Sequence, residues 1–405
     1  MDRKRPIILE SGAMATDSEN LTFCMAPWTH TFLSPQAERR LCCTSREEHQ
    51  FQKQYIDTDY DADTKQLTAD DFAPAKLTDH WNSEYLRNIR LKLLNGQTLP
   101  QCEVCNFKCR MCGELFSSSI EAEKKKNNLW NPTDQPFMQK DIKAKMQKFQ
   151  IEVAEEEFMD AIKSGVVEEI YFAGGEPMMI AMHWNAIDYL VKHDMADQCT
   201  VRYNTNLSNI TYQDKSLYEY LKHFKNWQIC ASIDAVGDIG EYIRKGLVWD
   251  NWLANFKAGM SLPDAHDNMI IDLTITGPGM LSLKEIYDLS KELDVRIETK
   301  HMFAFHPGIV FSPRAWPRNV LNTYVDDLLA YMHDAGPKQA SLIGCLKSLK
   351  TQPNFEEEWP DTYHNAFIHG KKHHEGLDKI RNEKLTLGDI YATHDDLNKW
   401  WNYDK

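Results

Sequence analysis

The sequence predicts an α/β protein: a partial (β/α) barrel of parallel strands, with a small Cys-rich module before it and a helical tail after it. Three observations predict this. Apolar, β-rich runs alternate with amphipathic helical stretches between residues 152 and 303, seven of the ten cysteines fall in the first 112 residues, and the segment beyond 310 reads as polar and helical. The corresponding boundaries are 1–104, 105–310 and 311–405. With 42% hydrophobic and 26% charged residues, the 405-residue chain has globular proportions and room for a sizeable core. Its 46 Lys+Arg against 60 Asp+Glu leave a net charge of −14. That balance opposes broad binding to nucleic acid or to an anionic membrane, both of which need cations in excess. No run approaches ~18 apolar residues, and the basic opening residues have no apolar stretch behind them, so a cytoplasmic protein is expected.

Taken in order, residues 1–20 read as a loose terminus and 21–78 as an irregular region mixing aromatic, Pro, Cys and acidic residues. Between 79 and 94 the apolar residues Trp81, Tyr85, Leu86, Ile89, Leu93 and Leu94 recur at helical spacing, and Asn95-Gly96 supplies the stop. This helix leads into a cysteine loop. Strands are expected at 168–173, 200–205, 227–234, 269–276 and 295–303, and helices at 152–164, 181–193 and 282–293. Strand starts 26 to 42 residues apart suit βα crossovers, which force neighbouring strands to be parallel. In such sheets ligands sit at the carboxyl ends of the strands.

Cys199 and Cys230 lie in apolar, β-like runs and read as buried, inert thiols. The densest stretch is Cys102-Glu-Val-Cys-Asn-Phe-Lys-Cys-Arg-Met-Cys112. Within it, Cys105, Cys109 and Cys112 can hold three irons of a [4Fe–4S] cube and leave the fourth open for a substrate. Cys102-x2-Cys105 with Cys109-x2-Cys112 also satisfies a four-thiolate zinc site, so spacing alone leaves both readings open.

The strand ends are informative. The first is followed by Ala173-Gly174-Gly175-Glu176-Pro177, the second closes on Asn204-Thr205-Asn206, and the third on Ser232-Ile233-Asp234 with Arg244 ten residues on. Adjacent glycines let the backbone approach a ligand closely, Pro177 fixes the turn, and Asn, Ser, Asp and Arg can bind ribose hydroxyls and a carboxylate.

These residues resemble the radical S-adenosylmethionine (radical SAM) family over roughly residues 105–305. The resemblance implies that Cys105, Cys109 and Cys112 bind a catalytic [4Fe–4S] cluster, whose open iron takes the amine and carboxylate of S-adenosyl-L-methionine. It places Met111 near the adenine, Gly174, Gly175, Glu176 and Pro177 at the methionine amine, and Asn204, Asn206, Ser232, Asp234 and Arg244 at the ribose and carboxylate. It implies an electron donor such as a flavodoxin or ferredoxin, and a 5′-deoxyadenosyl radical that abstracts hydrogen from a peptide or small-molecule substrate. The barrel's inner face and 298–316 shape the substrate pocket in this reading. The N-terminal region, with Phe23-Cys24-Met-Ala-Pro-Trp28, Cys42-Cys43, Trp81-Asn-Ser83 and Leu99-Pro-Gln-Cys102, is similar to the SPASM/twitch module. That similarity implies Cys24, Cys42, Cys43 and Cys102 as ligands of a second, auxiliary cluster.

The chain departs from the family pattern twice. The closing CxxC of the module and the CxxxCxxC of the core are fused at Cys105, so an auxiliary cluster either uses Cys102 and the upstream cysteines or is absent. In addition, the short Pro-containing segment 96–101 supplies no apolar strand ahead of Cys105. A non-catalytic zinc or iron–sulfur protein-binding module, and radical modification of a nucleotide or RNA, are the competing functions. His364, His369, His373 and His374 read as a solvated helical surface, Lys124-Lys125-Lys126 as a solvated helix face, and Trp400-Trp401 as the pair that docks the tail.

Overall fold

The computed structural model describes residues 32–33, 39–40, 110, 118–129, 155–173, 176–302 and 307–403. The chain divides into two compact units, 1–106 with 128–163 and 107–127 with 164–405. The first unit contains an antiparallel pair, Phe32–Leu33 with Arg39–Arg40, and the helix α1 (Glu155–Lys163). The predicted helix at 79–94 lies outside the described residues.

The second unit is organised on five parallel strands: β1 (Glu169–Phe172), β2 (Thr200–Thr205), β3 (Asn226–Ile233), β4 (Met269–Ile275) and β5 (Arg296–His301). They neighbour one another in chain order. All four pairings are parallel, as the βα spacing requires. Each predicted strand is present to within about two residues at either end, the usual scatter of element boundaries.

Alternation fixes which side of the sheet each residue takes. Val201, Ile229, Ile271 and Ile297 are all at most 1% exposed and fall on one face. On that face Tyr203 and Phe172 meet His183 of α2 (Ala181–Lys192), whose Trp184, Ala186, Ile187 and Leu190 are also buried. Trp184 Nε1 donates to the Met178 carbonyl at 2.9 Å, which ties the helix start to the turn after β1.

The crossovers that matter for the site are α3 (Gly237–Ile243) after β3, α4 (Trp249–Gly259) before β4, and α5 (Leu283–Leu293) before β5. Helix α5 carries Glu285 in its first turn and Lys291 in its last, the arrangement that complements the helix dipole, and it ends at Asp294 in the left-handed region.

The C-terminal segment forms α6 (Arg318–Tyr331), α7 (Ala340–Thr351), the 22-residue α8 (Pro360–Arg381), α9 (Leu387–Tyr391) and α10 (Asp395–Trp401). Trp400 and Trp401 are buried, and they pack against Phe367 and Tyr391 of the same extension. The Lys371 ammonium donates to the Trp401 carbonyl and lies 5.0 Å from the Trp401 ring centroid. Tyr391 and Tyr363 hydroxyls donate to the Val310 and Ala315 carbonyls at 3.0 and 2.6 Å, fastening this segment to the stretch that follows β5.

The four histidines of α8 do not form the single solvated surface that the sequence predicts. His364, His369 and His373 are exposed, but His374 is 1% exposed and packs edge-on to Phe311 at 4.7 Å, so the four do not share one solvated face. On a helix ten residues turn through about 1,000°, which leaves position 374 about 80° around the axis from 364. Burial holds the His374 imidazole neutral, well below its ordinary pKa.

Candidate functional site

The carboxyl ends of β1, β2 and β3 converge on two buried carboxylates. Glu176 follows β1 and caps the short 3₁₀ turn Pro177–Met179. Its Oε1 accepts from Thr205 Oγ1 at 2.7 Å and from the Met178 N–H at 3.3 Å, and its Oε2 accepts from the Asn206 N–H at 2.7 Å. One carboxylate thus joins the exit of β1 to the exit of β2. Thr205 in turn accepts from the Leu207 N–H at 2.9 Å, and Asn206 Oδ1 accepts from the Ser208 N–H at 2.9 Å. This continuous set of bonds holds Leu207 at φ +52, a conformation that a non-glycine residue keeps only when its surroundings impose it.

At the end of β3, Asp234 is fully buried and receives Nε and Nη2 of Arg244 at 2.8 and 3.0 Å. The paired geometry suits a guanidinium facing a carboxylate, and neither charge is tolerable there without the other. Gly279, in the turn after β4, closes over this pair: a Cβ on it would lie 2.3 Å from the Asp234 carbonyl oxygen and 2.6 Å from Thr276 Oγ1. Only glycine permits that approach.

Ser232 sits one layer below the rim. Its hydroxyl donates to Asp272 Oδ2 at 3.2 Å, and Lys300 Nζ donates to Asp272 Oδ1 at 2.6 Å. These residues share the face opposite the apolar one, as their register across β3, β4 and β5 requires. Arg202, on the same face, donates to Gln228 at 3.1 Å and to Glu169 at 3.4 Å. Asn204 is half-buried and opposes Cys230 there. Burial pushes the Cys199 and Cys230 thiols up to about 11, so both are protonated at neutral pH, in keeping with the inert reading.

The cysteine loop reaches this rim through Arg110, its one described residue. The Arg110 side chain is fully buried and its guanidinium carbon stands 3.7 Å from the Tyr242 ring centroid. Nε donates to the Tyr242 carbonyl at 2.9 Å, and the backbone N–H to the Ile243 carbonyl at 3.2 Å. Arg244, the partner of Asp234, is the next residue. The loop and the strand ends therefore meet at the end of α3.

Cys105, Cys109, Met111, Cys112, Gly174 and Gly175, together with Cys24, Cys42, Cys43 and Cys102, lie outside the described residues. Glu176, Pro177, Asn204, Asn206, Ser232, Asp234 and Arg244 are described and cluster at or just below the carboxyl edge of the sheet. Thr205, Asp272, Lys300 and Arg110 join them without having been singled out from sequence. Thr205 and Arg110 were within reach, since each lies inside a motif quoted above, and Lys300 lies in the 298–316 segment read as shaping the substrate pocket; Asp272 had no signal beyond strand alternation. Among the described residues, no group of three His, Cys, Asp or Glu is placed to hold a metal ion, and no helix is long and apolar enough to cross a membrane.

Three thiols spaced as Cys105, Cys109 and Cys112 form the donor set of a cluster with one open iron. Arg110 is bonded to Tyr242 and Ile243, next to Arg244, and the donor chemistry of the three thiols fits an iron–sulfur cluster.

Comparison with known families agrees. Residues 100–280 match the sequence model of the Radical SAM superfamily. This stretch is a Radical SAM superfamily domain, and it takes in the three-cysteine loop, the Glu176 turn and β1 to β4. A comparison with curated proteins gives no match.

Proposed function

We propose that residues 105–310 form a radical SAM catalytic core in which Cys105, Cys109 and Cys112 hold a [4Fe–4S] cluster and the rim from Gly174 to Arg244 holds S-adenosylmethionine. The observation that carries this reading is the Arg110 anchor, which joins the cysteine loop to the residue next to Arg244. When bound, the cluster and S-adenosylmethionine supply reductive cleavage of the sulfonium S–C5′ bond and a 5′-deoxyadenosyl radical able to take hydrogen from an unactivated C–H.

The chain's own residues do the rest. Glu176 fixes the turn whose glycine backbone meets the methionine end of the cofactor. The Asp234–Arg244 pair presents guanidinium N–H groups at a fixed depth, and Asn204 and Asn206 offer amides towards the ribose. The polar face formed by Arg202, Gln228, Ser232, Asp272 and Lys300 lines the substrate side of the sheet. A polar, hydrogen-bonding substrate such as a peptide suits that face better than an apolar one. We further propose an auxiliary cluster on Cys24, Cys42, Cys43 and Cys102, a small acidic electron donor of the flavodoxin or ferredoxin kind, a cytoplasmic setting, and the segment boundaries 1–104, 105–310 and 311–405.

The test is 5′-deoxyadenosine formation from S-adenosylmethionine by anaerobically reconstituted, dithionite-reduced protein. The wild type is expected to form it and Cys109→Ala to form none. Equal formation by both removes the three-cysteine assignment. Gly175→Val is expected to keep its iron and lose cofactor binding; unchanged affinity makes that turn purely structural.

A further inference from the structure

Three ion pairs run from the C-terminal end of α8 and the residues just after it to positions on either side of Cys112 in the sequence. Upstream, Arg110 Nη1 donates to Asp378 Oδ1 at 2.5 Å and Nη2 to Glu383 Oε1 at 3.0 Å. Downstream, Arg381 Nε and Nη2 donate to the two carboxylate oxygens of Glu123 at 2.9 and 2.7 Å. Glu123 belongs to the helix Ser118–Lys126 that follows the loop.

The geometry depends on how α8 ends. Asn382 adopts φ +49, a left-handed cap at which Asn is among the few tolerated residues, and the Glu383 N–H turns back to the Asp378 carbonyl at 3.0 Å. That reversal brings Glu383 beside Asp378, so two carboxylates face one guanidinium while Arg381 points to Glu123. Tyr242 reinforces the arrangement, since its hydroxyl donates to Asp378 Oδ1 at 3.0 Å while its ring lies under Arg110. Lys245 adds a bond to Glu383 Oε2 at 2.8 Å, one residue beyond Arg244.

The charges are far from equivalent to a surface pair. The Arg110 side chain is fully buried, and those of Asp378 and Glu383 are 9% exposed. Burial raises the Asp378 pKa despite the adjacent guanidinium, whereas the Arg381 hydrogen bond holds Glu123 below its ordinary value. A buried arginine placed between two cysteines, with both its carboxylate partners at a helix end some 270 residues away, is poorly explained as stability alone, because well-packed apolar residues would stabilise as much. Its directional bonds do what apolar packing does not: they fix one position of the loop backbone.

We propose that the end of α8 is a clamp on the three-cysteine loop, with Arg110 and Glu123 as its two grips, and that the C-terminal extension thereby controls how firmly the loop retains its cluster. Arg110 is in this sense a positioning residue. The inference rests on the reading of Cys105, Cys109 and Cys112 as cluster ligands, and its test separates the two.

Glu123→Arg, Arg381→Glu and the double exchange that restores the pair with reversed polarity are compared with wild type, alongside Asp378→Asn. Arg318→Glu serves as a control, because it breaks the Arg318–Glu357 pair elsewhere in the extension. Two quantities are read: hydrogen exchange of 107–127 in protein free of iron, and the rate at which a chelator strips iron from reconstituted protein, followed with the cluster's electron paramagnetic resonance. Glu123→Arg and Asp378→Asn are expected to exchange faster in 107–127 while β2 to β4 stay protected, and to lose iron roughly ten times faster, in the range that support groups around metal sites show. The double exchange is expected to recover both, and the control to change neither. Loss of protection throughout the sheet, or iron retention unchanged in Glu123→Arg and Asp378→Asn, overturns the clamp. A wild type that holds no cluster overturns the functional reading instead, while exchange in 107–127 still decides whether the clamp exists.

Discussion

The two faces of the five-stranded sheet are made by the same strands and differ in almost everything else. One face carries Val201, Tyr203, Ile229, Ala231, Ile271, Leu273 and Ile297, all essentially inaccessible. The other carries Arg202, Gln228, Ser232, Asp272 and Lys300, joined in cross-strand hydrogen bonds. A parallel sheet covered by helices on both sides reads as continuous apolar runs. Here the strict alternation in β2 and β3 reserves one face for packing and leaves the other polar. Apolar packing and hydrogen bonding are therefore assigned to odd and even positions of the same few residues, and a slip of one register position would exchange them.

That contrast can be broken most forcefully from the apolar side. Ile229→Ala, at a site with no exposure, is expected to lower the unfolding free energy by about 2–5 kcal/mol through lost burial and a residual cavity, read as a fall in urea midpoint. At the rim, Arg244→Leu removes one half of a buried pair and strands the Asp234 charge. About 3–5 kcal/mol is expected, and Asp234→Asn added to it should recover part of the loss.

His183 offers a pH test of the apolar face. Burial takes its pKa from an ordinary 6.5 down to about 3, and its Nε2 lies 3.1 Å from the Tyr203 hydroxyl. The native state therefore binds fewer protons than the unfolded chain between those two values. Stability is complete above pH 6.5 and drains away as pH falls towards about 3, by roughly 4 kcal/mol for this one group. His183→Phe should flatten that part of the stability–pH curve; an unchanged slope would place the acid sensitivity elsewhere. The smallest effect belongs to the polar face. Arg202→Met breaks half-exposed contacts and is expected to shift stability by no more than about 1 kcal/mol. If the face serves the substrate, the same change should alter turnover with the true substrate far more than it alters the melting temperature.

Much of this was legible in the chain itself. The five strands and helices α2 and α5 follow from periodicity, and the polar strand ends from Gly174-Gly-Glu-Pro177, Asn204-Thr-Asn206 and Ser232-Ile-Asp234. The helical character of 360–381 was legible too, but not that its His374 is buried, because burial depends on Phe311 arriving from another segment. Nor did the motif reveal what Glu176 does with its carboxylate. A residue type announces which bonds it can make, whereas its partners Thr205 and Asn206 are supplied by the next strand.

The sequence by itself determined the order of strands, their parallel sense, the face each side chain takes and the three-cysteine loop, because these depend on spacing and period, which are local. Only the tertiary structure decided that Asp234 binds Arg244, that Lys300 reaches Asp272, and that Arg110 is gripped by Asp378 and Glu383. Those pairings join residues 10, 28, 268 and 273 positions apart. No local propensity encodes them: a buried charge takes whichever opposite charge the packed chain delivers within about 3 Å, and that choice exists only once the chain has folded.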